Sequence, residues 1–357
     1  MFSTRAQIAI DGSIGEGGGQ VLRTSLTLSL ITGKSFALEN IRSRRPKPGL
    51  MAQHLKAVEA AAEIGKATSE GARLGSRSLI FTPTGLFPGD FHFDIGTAGS
   101  TALVLQTIVP ALSLATATST VRLIGGTHVP WSPCFHFLEM HWLHYMREIG
   151  FDISIQLDSA GFYPRGGGHV LATVRPASQL LPLQLIARGS LERIRGISAV
   201  ANLSNSIAER QRAQVLNRLS QVSKQIEIAT VRISSPSKGS FLLLLGEFEK
   251  SQCCFYGLGA LRKPAEVVAD EAINELLQFL ATDGAIDHYL SDQLVLPLAL
   301  APGASEIRTS KITQHLITNA EIVKLFLPVS IEIDGATDQP GSIRVRCTES
   351  PVHGRSH

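Results

Sequence analysis

The chain has 357 residues, 44% of them apolar and 18% charged, and a formal net charge of +3. That length exceeds one ordinary core and predicts two units, or one large repeated unit with an insert. No apolar run reaches the roughly 20 residues that span a bilayer, and the near-neutral balance argues against a broad nucleic-acid stripe.

The N-terminal MFSTRAQIAIDGS turns polar too early for a secretory signal. The cysteines, Cys134, Cys253, Cys254 and Cys347, lack metal-ligand spacing, which fits a reduced, cytoplasmic setting. Residues 11–30, DGSIGEGGGQVLRTSLTLSL, set a glycine-rich turn directly before a helix whose Val21, Leu22, Ser25, Leu26 and Ser29 fall at helical spacing. Such a turn lets backbone approach a ligand, and the helix N-terminus favours an anion that Arg23 could also reach. Glu16 would oppose an anion unless a cation lay between them, as when Mg²⁺ is held by a carboxylate and substrate phosphates. Glycine content alone fits a plain tight turn better.

SFALENI follows as a strand, then the basic run IRSRRPKPGL with Arg42, Arg44, Arg45 and Lys47. The next helix would bury Met51, Leu55, Val58 and Ala62 and expose Gln53, Lys56, Glu59 and Glu63. Prolines before its start, the arginines, and Gln53 and His54 in its first turns make a second anion candidate. SLIFTPT and HFDIG read as strands.

The pattern then repeats. DIGTAGSTALVLQTIVPAL, STVRLIGG and CFHFLEMHWLHYMREIG mirror the first copy, with VL-x-T and Glu-Ile-Gly in common, and VLATVRP closes it as a strand. A third, more worn copy reads DHYLSDQLVLPLALAPG, ASEIRTS and KITQHLITNAEIVKLFLP. Between the second and third copies lie four strand-like stretches and the helix AERQRAQVLNRLSQVS, enough for a small α/β insert. The expected architecture is α/β: three repeats in one large domain (1–182 and 260–345), an insert (183–259) and a disordered tail (346–357).

In the third copy, Tyr289, Asp292 and Gln293 share one face of a helical start and could hold a purine, although an ordinary cap fits the spacing equally. His315 is one of 11 histidines, most of them necessarily inert. A neutral imidazole is nonetheless a competent nucleophile. The loops GGTHVPWSPCFHF and GFYPRGGGHV show no function by residue type.

Taken together and in order, DGSIGEGGGQVLRTSL, IRSRRPKPGLMAQHLKA, GSTALVLQTIVPAL, GGTHVPWSP, GFYPRGGG, AEVVADE, YLSDQLVLP and HLITN resemble the RNA 3′-terminal phosphate cyclases along essentially the whole chain. The resemblance implies three repeats of two helices on a four-stranded sheet, with a small α/β domain inserted before the third. It implies ATP-dependent conversion of an RNA 3′-phosphate to a 2′,3′-cyclic phosphate through a histidine–AMP intermediate, with Mg²⁺ or Mn²⁺. By motif position, His315 matches the nucleophile. Gln106, Pro133, Tyr289, Leu290, Ser291, Asp292 and Gln293 match the nucleotide site, and Glu16 the metal ligand. Arg23, Arg42, Arg45, Gln53 and His54 match positions that hold the RNA terminal phosphate. His128 and Trp131 depart from the usual loop and would reshape the adenine slot. RNA 3′-phosphate ends are the implied partner, no membrane is expected, and a homodimer is an allowed arrangement. Two rivals share the repeat. A silent cyclase-like factor in ribosomal RNA processing would lack His315, and an enolpyruvyl transferase would carry six repeats.

Overall fold

The computed structural model describes residues 6–348. The first repeat runs β1 (Ile8–Asp11), α1 (Gln20–Thr32), β2 (Phe36–Glu39), α2 (Ala52–Gly65), β3 (Thr68–Glu70) and β4 (Leu79–Thr82). The second runs β5 (Asp90–Asp94), α3 (Thr101–Leu112), β6 (Ser119–Gly125), a helix in three segments, β7 (Asp152–Ser159) and β8 (Gly168–Arg175). Those helical segments are α4 (Phe135–Phe137), a π-helical turn (Leu138–Trp142) and α5 (Leu143–Ile149).

β9 (Gln184–Leu185) precedes an excursion through β10 (Leu191–Ala201), α6 (Asn205–Leu219), β11 (Ile226–Arg232), β12 (Gly239–Phe248), β13 (Gln252–Leu258) and α7 (Ala265–Leu280). The third repeat then resumes with α8 (His288–Leu300), β14 (Gly303–Thr309), α9 (Gln314–Phe326), β15 (Val329–Asp334) and β16 (Gly341–Cys347).

The expected repetition is present in the sheets. Their strand orders are β1-β2-β4-β3, β5-β6-β8-β7 and β9-β14-β16-β15. In each, the first two strands are parallel and the remaining pairings antiparallel. The fourth sheet, β11-β10-β12-β13, has a different order.

Helices α1, α3 and α8 are buried on nearly every side, so they must lie inside while the sheets face outward. α1 packs on α2, α3 and α9, and α8 on α9 and α5, in one continuous core. Pro110 of α3 and Pro297 of α8 fall at the same place in their helices, a trace of the repeat.

Packing departs from the sequence expectation in several places. The expected insert includes β9, yet β9 pairs with β14 and completes the third sheet. The expected large domain includes α7, yet its Ala269, Ile273 and Leu276 share a core with Ile194, Val215, Leu244 and Phe255 of the fourth sheet and α6. β16 continues to Cys347, past the expected end at 345, and residues 349–357 of the tail lie outside the described residues. On α2 the buried face centres on His54, Ala57, Val58, Ala61 and Ile64, while Met51 is exposed. Alanines let this helix approach closely, and close approach turns the imidazole inward.

A buried polar network joins these units. His141 Nε2 lies 2.6 Å from Asp287 Oδ2, both side chains fully buried. Asp287 also N-caps α8 by accepting from Leu290 N–H at 2.9 Å. Gln252 Nε2 lies 3.2 Å from His141 Nδ1, so His141 donates from Nε2 to the carboxylate. Burial works to raise the Asp287 carboxyl, but His141 and the Leu290 N–H outweigh it and hold it below the ordinary range. The π-helical turn carries His141, and its extra residue aims the ring at α8. Asp287→Ala should cost about 3 kcal/mol, because it orphans buried donors on His141 and Leu290, and Asp287→Asn should cost less. Urea denaturation of both variants measures this.

Candidate active site

The site forms where the first helices of the three repeats converge. Repeat alignment puts Arg23 of α1 level with Gln106 of α3, and Gln106 level with Gln293 of α8, the latter two each one turn before the helix proline. Gln106 Nε2 donates to Gln293 Oε1 at 2.6 Å. Burial pulls the Arg23 guanidinium down, opposed by the charge of Asp292 beside Gln293, which leaves it at about 10. Arg23 therefore stays charged at neutral pH.

The loop between β1 and α1 reaches this junction by means of its glycines. Gly15 and Gly17 have φ of 57° and 55°, in the left-handed region that favours glycine. A methyl at Gly19 would collide with His54 Nε2 and lie 2.9 Å from Arg23 Nη1. Glu16 is thereby set between two cations or potential cations. Its Oε2 is 2.9 Å from Arg45 Nη2 and 3.0 Å from His315 Nε2.

His315 lies in the first turn of α9, which Thr313 caps. Its Nδ1 is 2.6 Å from Gln20 Oε1, and Gln20 Nε2 donates onward to Asp292 Oδ1. With the Gln20 oxygen accepting, Nδ1 carries hydrogen, and Nε2 faces Glu16 Oε2. Asn319 donates to the Asp292 carbonyl at 2.9 Å and accepts from Thr24 Oγ1 at 2.8 Å. Burial pushes the Asp292 carboxyl up, opposed by His315, Gln20 and Arg23.

At the start of α2, His54 is buried and its Nδ1 accepts from Met51 N–H at 3.3 Å, leaving Nε2–H toward Gly19. Burial, then the charges of Arg23 and Arg42, drive its pKa down to about 3. It is thus a neutral donor among arginines. Arg42 has φ of 53°, and its Nη1 donates to Lys47 O and Gly49 O at 2.7 and 2.9 Å. Gln53 faces the second repeat, accepting from Ser100 N–H at 3.0 Å at the cap of α3.

At the start of α8, Tyr289 is half-exposed with its ring 6.5 Å from Phe255. Pro133 is on the 126–134 loop, tied to β13 where Tyr256 Oη donates to Ser132 O at 2.6 Å. Leu290 and Ser291 are fully buried, and Ser291 Oγ accepts from Thr309 Oγ1. Their side chains face the core.

His128, expected to shape the adenine slot, is also turned into the core. It is 1% exposed, stacks on Phe162 and Phe241, and lies 2.8 Å from Thr127 Oγ1 and 2.9 Å from His136 Nδ1. The flanking aromatics give the ring an apolar niche, so it has no reason to face solvent. Trp131 is exposed, with φ of 65°.

Among the described residues, no cluster of three or more His, Cys, Asp or Glu side chains is arranged to hold a metal ion. Glu16 alone offers a half-exposed carboxylate, which suits a cation completed by phosphate oxygens. The sequence gives no sign of Gln20, Asn319 and Thr24 as members of the site. Gln20 directly follows the glycines, but nothing in residue type announces its partner nearly three hundred residues away.

A profile of the family described as "RNA 3'-terminal phosphate cyclase" matches residues 14–333. The chain belongs to this family. Among its relatives, a protein of Ralstonia nicotianae named RNA 3'-terminal phosphate cyclase is 45% identical over 93% of this chain and 94% of its own length. Proteins of the same name from Nostoc punctiforme and Thermococcus kodakarensis are each 41% identical, covering 92% and 95% of this chain and 97% and 98% of theirs. A solved structure, the enolpyruvyl transferase NikO from Streptomyces tendae, aligns over 97% of this chain and 67% of that one. Its TM-score of 0.28 and 9% identity are too slight to carry an argument. No helix among the described residues is long and apolar enough to cross a membrane.

The state of His54 has a measurable consequence. Folded, the ring stays neutral down to about pH 3, whereas unfolded it takes up a proton near 6.5. The unfolded chain binds the extra proton between those values, so stability falls as pH drops from about 6.5 toward 3, by up to about 1.4 kcal/mol per unit for this group. His54→Gln should flatten urea-derived stability against pH by about 1 kcal/mol per unit between pH 6 and 4. An unchanged slope would mean that His54 is not the group taking up the proton.

Proposed function

We propose that the protein is an ATP-dependent RNA 3′-terminal phosphate cyclase that works through His315. The reading rests on one observation above all. The imidazole of His315 is oriented by Gln20 and Asp292, and its Nε2 faces a carboxylate and an arginine at an open site.

In the first step Nε2 attacks the α-phosphorus of ATP. A P–N bond forms, the bond to pyrophosphate breaks, and pyrophosphate leaves. Glu16 Oε2 lies 3.0 Å from Nε2, so before attack the carboxylate must turn aside and pass the proton shared between them to solvent, leaving the Nε2 lone pair free. Gln20 and Asp292 favour the positive charge that develops on the ring. Mg²⁺ or Mn²⁺, held by Glu16 and phosphate oxygens, would neutralise charge on the leaving group.

In the second step an oxygen of the RNA 3′-phosphate attacks the adenylyl phosphorus, the P–N bond breaks, and the electron pair returns to Nε2. Arg23, Arg42 and Arg45 with the His54 Nε2–H would hold the RNA phosphate, and guanidinium pairs suit its oxygens. In the third, the vicinal 2′-OH attacks the activated phosphorus, loses its proton, and expels AMP. Its adjacency supplies most of what that step needs.

The base would lie between Tyr289 and Pro133, with Gln106, Asp292 and Gln293 near the nucleotide. Leu290 and Ser291 would support this segment from within. A cytoplasmic location suits RNA chemistry and four free cysteines. A homodimer is compatible with this reading. Packing would draw the insert from β10 through α7, leaving β9 with the third repeat.

Incubation with α-labelled ATP and a divalent cation should give an acid-labile AMP–protein adduct that His315→Ala abolishes, and survival of the adduct in that variant would overturn the assignment. Gln20→Ala should slow adduct formation by about 100-fold with little change in KM for ATP. Arg45→Ala should impair cyclisation more than self-adenylation; equal loss would put Arg45 with ATP.

A further inference from the structure

The arginines of the phosphate side continue onto a second loop that the site described above does not use. Residues 71–78 are fastened along the 41–50 segment by backbone bonds. Ile41 N–H donates to Arg77 O at 3.0 Å, Leu50 N–H to Ser76 O at 2.9 Å, and Gly75 N–H to Leu50 O at 2.8 Å. Gly49, Gly71 and Gly75 have φ of 83°, 84° and 75°. A methyl on Gly49 would strike the Gly75 carbonyl, and one on Gly71 the Ser78 carbonyl. The two loops are therefore one fixed double layer.

Its outer surface is basic with an apolar tip. Arg73 and Arg77 are exposed, and Leu74 between them is 65% exposed. Below them, exposed Lys47 and Arg44 continue the charge, and Arg44 Nη1 donates to Gly15 O at 2.7 Å beside the glycine loop. Asp11 feels Arg44 but is held low chiefly by Ser13 N–H. None of Arg44, Lys47, Arg73 and Arg77 forms an ion pair with a carboxylate of the described residues. Arg193, Arg210, Arg218, Arg308 and Arg344 are each paired. Unpaired guanidinium groups on a rigid support suit an external polyanion.

Resting on the reading that the adjacent site takes an RNA 3′-phosphate, we infer that this double loop is the track for the RNA upstream of that phosphate. A chain that ends at Arg45 must leave past neighbouring elements. His315 and Asp292 occupy the α8–α9 side, whereas the 71–78 loop adjoins the Arg42–Arg45 segment directly through the Ile41 and Leu50 backbone bonds. Phosphodiester groups would lie along Arg44, Lys47, Arg73 and Arg77, with Leu74 against a base face. A single strand suits it, since each nucleotide brings one charge and one flat apolar surface.

The test is binding of fluorescent RNAs ending in a 3′-phosphate, a dodecamer and a dinucleotide, to the wild type and to Arg73→Glu/Arg77→Glu. The dodecamer should lose at least about tenfold more affinity than the dinucleotide. Its log–log salt dependence should shrink by about 1.4, or roughly 0.7 for each phosphate of a single strand that is no longer neutralised. Equal loss on both lengths, or none on either, overturns the track. Self-adenylation should be unchanged in the variant. A wild type that forms no AMP adduct would sink the functional reading separately, while the binding comparison would still judge the track. If the charge reversal unfolds the protein by circular dichroism, Arg73→Gln/Arg77→Gln gives the same comparison with a smaller expected loss.

Discussion

A helix that is buried on nearly every side has to be surrounded, and three such helices lie among the described residues. α1, α3 and α8 present almost no face that water could cover. They can be buried only against helices of the other repeats, with the sheets turned outward. Once that packing is set, the few polar positions on these helices meet in one place and must satisfy one another, because an unpaired buried amide or hydroxyl costs about 1–3 kcal/mol. Gln106 with Gln293, Gln20 with Asp292, and Thr24 with Asn319 are such pairs. The site is thus a consequence of repeat packing as much as an addition to it.

Electrostatics sharpens the division between its halves. On one side, Arg23, Arg42 and Arg45 gather with His54, which burial and the charges of Arg23 and Arg42 keep neutral. A charged ring there would add repulsion, while a neutral one adds a donor. On the other side, His315 is held between two oxygens, Gln20 Oε1 at Nδ1 and Glu16 Oε2 at Nε2.

The repeats are legible in the sequence because they impose a period on glycines, apolar runs and Glu-Ile-Gly endings. Helix and strand identities follow for the same reason. What fails to show is whatever depends on neighbours distant in sequence. The Asp287–His141 pair looks like an ordinary helix cap and an ordinary histidine until the fold joins them. The inward turn of His128 is set by Phe241, far along the chain. α2 misleads because its alanines, rather than its larger apolar residues, mark the packed face. The β9 and α7 boundaries stay hidden because two residues of strand and one amphipathic helix carry no label for the sheet they will join.

That short strand has a further meaning for how the molecule assembles. Leu183 N–H donates to Ser305 Oγ across 122 residues, and β9 pairs with β14 on the far side of the whole excursion. The third sheet therefore cannot be completed on a ribosome until the intervening chain has emerged. The first two repeats are continuous and can fold as they appear. The last must wait with an open edge, so His315 and Gln20, which belong to the last and first repeats, meet only at the final closure. A prematurely truncated chain would carry Glu16, Arg23, Arg45 and His54 without the imidazole of His315 that faces them.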